Sequence, residues 1–114
     1  MRRHALGLLL VRLGRFSDAM TELRMAAELA PGAPRFAYAY AIGLHSTGDT
    51  ADAVDILAET AVTHPYDMDI LTALVTLNLE LGRRDEALDY ASQLALIVPD
   101  DDRVMNLVHS LKNR

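Results

Sequence analysis

A 34-residue period runs through the chain. The segments LGRFSDAM at 13–20, TGDTADAV at 47–54 and LGRRDEAL at 81–88 are variants of one phrase. Glycine recurs at 14, 48 and 82, alanine at 19, 53 and 87, and proline at 31, 65 and 99. A fixed period of roughly 20–50 residues is typical of one supersecondary unit that is stacked on copies of itself. The sequence therefore predicts a repeat architecture.

Each period contains apolar residues at helical spacing for two helices. The glycine follows the first apolar stretch, where the left-handed conformation that ends a helix costs glycine little. The proline follows the second stretch and cannot continue a helix, because it lacks the backbone N–H. The predicted helices span 2–13, 16–30, 34–46, 50–63, 68–81, 84–97 and 102–112.

The residues after each glycine predict how the second helix begins and packs. Ser17 or Asp18 in the first period, and Asp49 or Thr50 in the second, are predicted to cap that helix. A side chain no larger than methyl early in the helix allows close approach of its partner, which is the predicted role of Ala19, Ala53 and Ala87.

These residues resemble the tetratricopeptide repeat, over essentially the whole chain. The matching residues are Leu6, Gly7, Gly14, Phe16, Ala19, Ala26 and Pro31, then Tyr40, Ala41, Gly48, Ala53 and Pro65, then Leu74, Gly82, Ala87 and Pro99. The departures from the family pattern are Arg3, Ala37, Thr60, Asn78 and Leu94. The resemblance implies an all-α fold of about seven helices, in which antiparallel helix pairs stack into a right-handed superhelix.

The same period predicts the domain organisation. Residues 1–114 are expected to form a single domain with repeats at 1–33, 34–67 and 68–101, followed by a capping helix at 102–114. Such a terminal helix needs one apolar stripe, here Met105, Val108 and Leu111, and one polar side to cover the last repeat.

Charge and composition exclude several classes of partner. The net charge of −5 and the isoelectric point near 5.2 argue against binding of nucleic acid or an anionic membrane, which need clustered cations. No window approaches the roughly 20 apolar residues of a membrane span. The apolar run from Ala5 to Val11 is short and is followed by Arg12, so a secretory signal peptide is disfavoured. We expect a soluble protein. The chain has no cysteine, so the compartment cannot be read, with cytoplasm slightly favoured over periplasm.

No catalytic or cofactor constellation is visible in the sequence. His4, His45, His64 and His109 are never spaced to place two ligands on one helix face, so no metal site is predicted. The serines and glycines stand at helix ends or on helix surfaces, and Asp100–Asp102 lacks the alternation and glycine bend of a calcium loop. We expect neither enzymatic activity nor a cofactor.

One stripe of the first helices remains as a candidate binding surface. His4, Leu8 and Val11 share a side of the first helix, and the period maps them onto Tyr38, Ile42 and His45, then Thr72 and Thr76. The stripe could instead be part of the core. The opposite side of the first helix carries more leucines, however, which favours that side as the packing face. The family resemblance implies that this stripe lines a concave groove, with Arg35 near its edge.

The prediction for function follows from that groove. We expect a protein interaction module that binds an extended peptide or a partner helix; the alternative is a docking or regulatory C-terminal segment of a larger polypeptide whose catalytic or transport domain lies upstream. Some family members clamp acidic chaperone tails with basic residues at positions that here are His4, Leu8, Ala39, Asp69 and Ala73. The clamp is therefore expected to be missing.

The first helix carries a second apolar face that no preceding helix covers. This face consists of Leu6, Leu9, Leu10 and Leu13. Leaving large apolar side chains in water costs roughly 1.5–3 kcal/mol each, so we expect a homodimer through the N-terminal helix, or fraying there.

Overall fold

The chain folds into a stack of α-helices. Its computed structural model describes the backbone of residues 2–113 and the side chains of residues 12–113. The described residues form six helices and no strand: α1 (Arg2–Leu29), α2 (Pro34–Ser46), α3 (Thr50–Thr63), α4 (Met68–Glu80), α5 (Arg84–Ile97) and α6 (Asp102–Lys112). Consecutive helices pack against each other, and α2 also contacts α4. The predicted all-α stack of helix pairs is confirmed.

Two of the three repeated glycines end helices as predicted. Gly48 and Gly82 have φ angles of +89° and +74°, the left-handed region that favours glycine. The amides that follow turn back onto the ending helix: Asp49 N donates to Leu44 O at 2.9 Å and Arg83 N donates to Asn78 O at 2.8 Å. These turns fold α2 onto α3 and α4 onto α5.

Aspartate side chains cap two of the described helices, α4 and α6, and neither was predicted from the sequence. Asp67 caps α4, where its carboxylate accepts a hydrogen bond from Ile70 N at 3.1 Å. Asp49 stands at the N-cap of α3 as expected, but its side chain makes no capping bond and instead accepts from Thr47 Oγ1 at 3.2 Å.

The prediction of separate helices at 2–13 and 16–30 is wrong. A single 28-residue helix, α1, runs through Gly14, whose φ is not positive. Ser17 and Asp18 therefore lie inside a helix and do not cap one, and Ser17 O accepts from Thr21 Oγ1 at 3.1 Å. Glycine in a helix interior costs only about 1 kcal/mol, so without a packed hairpin the unbroken helix is the cheaper arrangement.

The core consists of two apolar clusters on either side of α4. The first joins α2, α3 and α4 and contains the fully buried Ala41, Ala53 and Leu57. The second joins α4, α5 and α6, with Ala87 and Ala91 at its centre. The predicted close contact is confirmed at Ala53 and Ala87, whereas Ala19 is exposed because α1 does not fold back on itself.

The last helix, α6, packs on α5. Val108 and Leu111 of the predicted stripe are buried, but Met105 is 44% exposed, because the helix turns Val104 and Leu107 toward the core in its place. Within the described part of the chain, no helix has the length and apolar character needed to span a membrane.

Candidate partner-binding groove

A cavity of about 260 Å³ lies between α2 and α4, the first helices of adjacent pairs. Its lining comes from Tyr38, Ile42 and His45 on α2 and from Asp69, Thr72, Ala73, Thr76 and Leu77 on α4. Spacings of three and four residues place these side chains on one face of each helix. We call this surface the α2–α4 groove.

The apolar wall of the α2–α4 groove, formed by Tyr38 and Ile42 of α2, is accessible to solvent. Tyr38 and Ile42 are 36% and 38% exposed, whereas Ala41 on the same helix is fully buried in the core. Helix α2 therefore presents one side to the core and another to the groove, and the predicted stripe on α2 is not core.

Polar contacts fix the end of the groove at His45. Its Nδ1 lies 3.0 Å from Thr50 Oγ1, and its Nε2 lies 3.4 Å from Glu80 Oε2. The ring thus links the end of α2 to the start of α3 and the end of α4. On the α4 wall, Thr76 Oγ1 donates to Thr72 O at 3.1 Å. The groove is lined by an apolar wall on α2 and hydroxyl groups on α4, with the carboxylates of Asp69 and Glu80 close by.

The structure brings together five of the nine side chains proposed from the sequence: Tyr38, Ile42, His45, Thr72 and Thr76. Arg35 lies beside them, where it lines a neighbouring depression with Tyr38, Asp67 and Asp69. Its guanidinium carbon lies 4.7 Å from the centroid of the Phe36 ring. The side chains of His4, Leu8 and Val11 lie outside the described residues.

Sequence reasoning left Leu77 out of the groove. Leu77 follows Ala73 by four residues, as Thr76 follows Thr72. This helical spacing places all four side chains on one wall of the groove. In the structure Leu77 is almost completely buried, at 3% exposed. Leu77 serves both: it belongs to the α2–α3–α4 core cluster and lines the floor of the groove.

A depression of about 610 Å³ lies at the turn between α5 and α6 and includes Asp100, Asp101 and Asp102. The Asp101 carboxylate interacts with Arg103, two residues away. It accepts a hydrogen bond from Arg103 N at 2.9 Å and forms an ion pair with the Arg103 guanidinium at 3.2 Å. The hydrogen bond from the Arg103 side chain lowers the pKa of Asp101 below its ordinary value. No group of three potential metal ligands is assembled among the residues that the structure describes.

Family comparison identifies the repeat. A tetratricopeptide repeat model matches residues 44–111, more than half of the chain, and a second tetratricopeptide repeat model matches residues 1–25. The chain belongs to the tetratricopeptide repeat family. Family and fold together define a protein-binding helical-repeat module.

A solved structure shares the fold. The crystal structure of PcrH in complex with the chaperone-binding region of PopD superposes with a TM-score of 0.71 at 16% sequence identity. The match covers 96% of this chain and 87% of that chain. No curated protein matches the sequence significantly.

Proposed function

We propose that this protein binds an extended peptide or a partner helix in the α2–α4 groove, without catalysing a reaction. The observation that carries the proposal is the exposure of Tyr38 and Ile42 over a fully buried layer. A concave site with exposed apolar groups on a rigid support pays little ordering entropy when a ligand binds.

The chemistry of the groove indicates the kind of segment that fits. A cavity of about 260 Å³ accommodates one or two apolar side chains of a ligand, which would contact Tyr38 and Ile42. Asp69 and Glu80 lie near the two ends of the α4 wall, and the chain carries a net charge of −5. We infer a ligand segment with an apolar anchor that is flanked by basic residues, because these would pair with the carboxylates. A short segment of this kind should bind with a dissociation constant on the order of micromolar.

The fold likeness supports a protein segment as the ligand class. PcrH was solved with the chaperone-binding region of PopD, which is a stretch of another protein. The alternative, a docking or regulatory segment within a larger polypeptide, would use the same groove and differs only in what the chain is joined to.

A selection experiment tests the groove. Peptides selected from a random displayed library on the wild-type chain are measured by fluorescence polarisation against wild type, Ile42→Glu and Val62→Glu. Val62 is 79% exposed and lies outside the groove, so it receives the same chemical change as a matched control. We expect Ile42→Glu to bind at least about tenfold more weakly, the equivalent of about 1.4 kcal/mol, and Val62→Glu to bind like wild type. Equal binding by all three, with unchanged helicity, would place the peptide elsewhere.

A further inference from the structure

The first repeat exposes a face that the other two repeats bury. Ala53 and Ala87, one period apart, are both 0% exposed, while Ala19 at the equivalent position is exposed. A second set of equivalent positions differs in the same way, since Leu57 and Ala91 are both 0% exposed but Leu23 in α1 is only half-buried.

Helix α1 packs against α2 alone among the described helices. Met20 lies against Gly43 of α2, so the C-terminal half of α1 is attached to the stack. Nearer the N-terminus, Phe16 is 40% exposed and Leu13 is 55% exposed. The helix continues to Arg2, about three further turns beyond Leu13.

In the second and third repeats, the missing cover comes from the first helix of the same pair. Ala41 of α2 shares the first core cluster with Ala53, and Val75 of α4 shares the second with Ala87. One period earlier, the position of Ala41 is Gly7. The second family model spans residues 1–25, and therefore the first half and most of the second half of this first repeat.

The chain thus contains a segment that fits the exposed face, residues 2–13, but in the continuous helix α1 this segment points away from that face. Twelve residues separate Gly7 from Ala19, which corresponds to about 18 Å along a continuous helix. The straight path through Gly14 prevents residues 2–13 from packing on residues 16–29 of the same chain.

We propose that a second copy of this chain covers the face by exchange of its N-terminal segment. Residues 2–13 of each copy pack on residues 16–29 of the other, in the place that the first helix occupies in the later repeats. Exchange of an identical element between two copies gives a closed two-fold contact in which both exposed faces are covered. A second copy is favoured over a foreign helix because the complementary segment is this chain's own first half-repeat.

The exchange would also affect the α2–α4 groove. This consequence rests on the proposed function. The segment that is exchanged carries His4, Leu8 and Val11, the positions predicted to continue the groove stripe. Each groove would then receive its first-repeat end from the other copy.

Cysteine cross-linking tests the exchange, because the natural chain has no cysteine. The double variant Gly7→Cys with Ala19→Cys is oxidised at low protein concentration and analysed on a non-reducing gel and by intact mass. A disulfide requires the two Cα atoms to lie within about 7 Å. The control pair is Gly7→Cys with Val62→Cys, in which the second site is 79% exposed on α3, outside the proposed contact.

The three outcomes separate cleanly. Covalent dimer from the first pair and none from the control supports the exchange. An oxidised monomer, lighter by two hydrogens, would show that the chain closes its own hairpin, and an uncross-linked monomer would show that nothing of this chain covers the face; either overturns the proposal. Light scattering of the wild-type chain over a hundredfold concentration range keeps the test valid if the variant misfolds, because a strictly monomeric chain also overturns it. None of these readouts involves peptide binding.

Discussion

The Arg84 guanidinium is bonded to the backbone carbonyl of Ser110: Nη2 of Arg84 donates to Ser110 O at 2.9 Å, and its Nε donates to Leu111 O at 3.2 Å. Both carbonyls lie in the last turn of α6, which ends at Lys112. Carbonyls at a helix C-terminus carry partial negative charge and lack helical partners, so a cation there is favourable. The first residue of α5 thus holds the end of the terminal helix.

The first prediction concerns this contact. Arg84→Ala should lower the free energy of unfolding by about 1 kcal/mol, because two charge-assisted hydrogen bonds are replaced by solvent. The loss should appear locally as faster amide hydrogen exchange in α6. Arg83→Ala, which removes the same charge one residue earlier, is the control. Equal effects of the two substitutions would mean that only net charge matters.

Asn78 provides a second prediction, because it is a buried polar residue with an unmatched atom. It is 1% exposed; its Nδ2 donates to Leu74 O at 2.8 Å, while Oδ1 has no hydrogen-bond partner among the described residues. A buried unsatisfied oxygen costs about 1–3 kcal/mol, which should offset the packing lost on truncation. Asn78→Ala should therefore change stability by less than about 1 kcal/mol.

Leu74→Ala on the same helix is the comparison for Asn78. Leu74 is also fully buried, but its truncation only removes apolar contacts, at an expected cost of about 2–5 kcal/mol. Urea denaturation of both variants measures the difference. If Asn78→Ala were as damaging as Leu74→Ala, the Asn78 oxygen would have to make a stabilising contact.

The fold was predictable because backbone chemistry at single residues determines most helix ends. Glycines with positive φ and prolines without an N–H act locally, so the bounds of α2 through α6 agree with the sequence to within one residue. Gly14 has the same sequence context, yet no turn forms there. A turn also needs the two helices to gain contacts, and that tertiary condition is not encoded in the local residues.

The candidate site was predictable where it depends on helix periodicity. The period and the 3.6-residue turn place Tyr38, Ile42 and Thr76 on one surface without knowledge of the fold. Two contacts were not predictable, that of His45 with Glu80 and that of Arg84 with α6, because each joins residues about 25 or more positions apart. Such pairings depend on how helices are positioned relative to each other.

Tyr90 gives a prediction for alkaline pH. Burial raises the pKa of its phenol above the ordinary value of 10.0, and the nearby carboxylates of Asp89 and Glu86 raise it further. The folded state therefore retains the proton to higher pH than the unfolded state. This contribution to stability is complete below pH of about 10 and is lost as the pH rises through the folded pKa.

The measurement is a difference titration of wild type and Tyr90→Phe by phenolate absorbance, with denaturation at each pH. The difference spectrum should have its midpoint above pH 10, and the stability of wild type should fall relative to Tyr90→Phe over the same range. A midpoint at or below 10 contradicts the burial of the phenol.

The groove should reject acidic peptide tails. The positions that the family resemblance assigns to a basic clamp include Asp69 and Ala73 here, and both line the α2–α4 groove. A peptide ending in Glu-Glu-Val-Asp would bring like charge to Asp69 and Glu80, which disfavours binding. Calorimetric titration should show no saturable heat, and Asp69→Lys is the variant in which weak binding is expected. Tight binding to the wild-type chain would require a different ligand polarity from the one proposed.

The same substitution should have opposite effects at two equivalent glycines. Gly48→Ala forces an L side chain into a φ of +89° and should cost about 1 kcal/mol of stability. At Gly14 the backbone is helical, and an added Cβ meets no atom within 4 Å, so Gly14→Ala should stabilise α1 by up to about 1 kcal/mol. Thermal denaturation followed by circular dichroism measures both changes, and amide exchange at residues 12–18 shows where they act. A destabilised Gly14→Ala variant would mean that the chain turns at Gly14 as it does at Gly48, with residues 2–13 folded back on their own repeat.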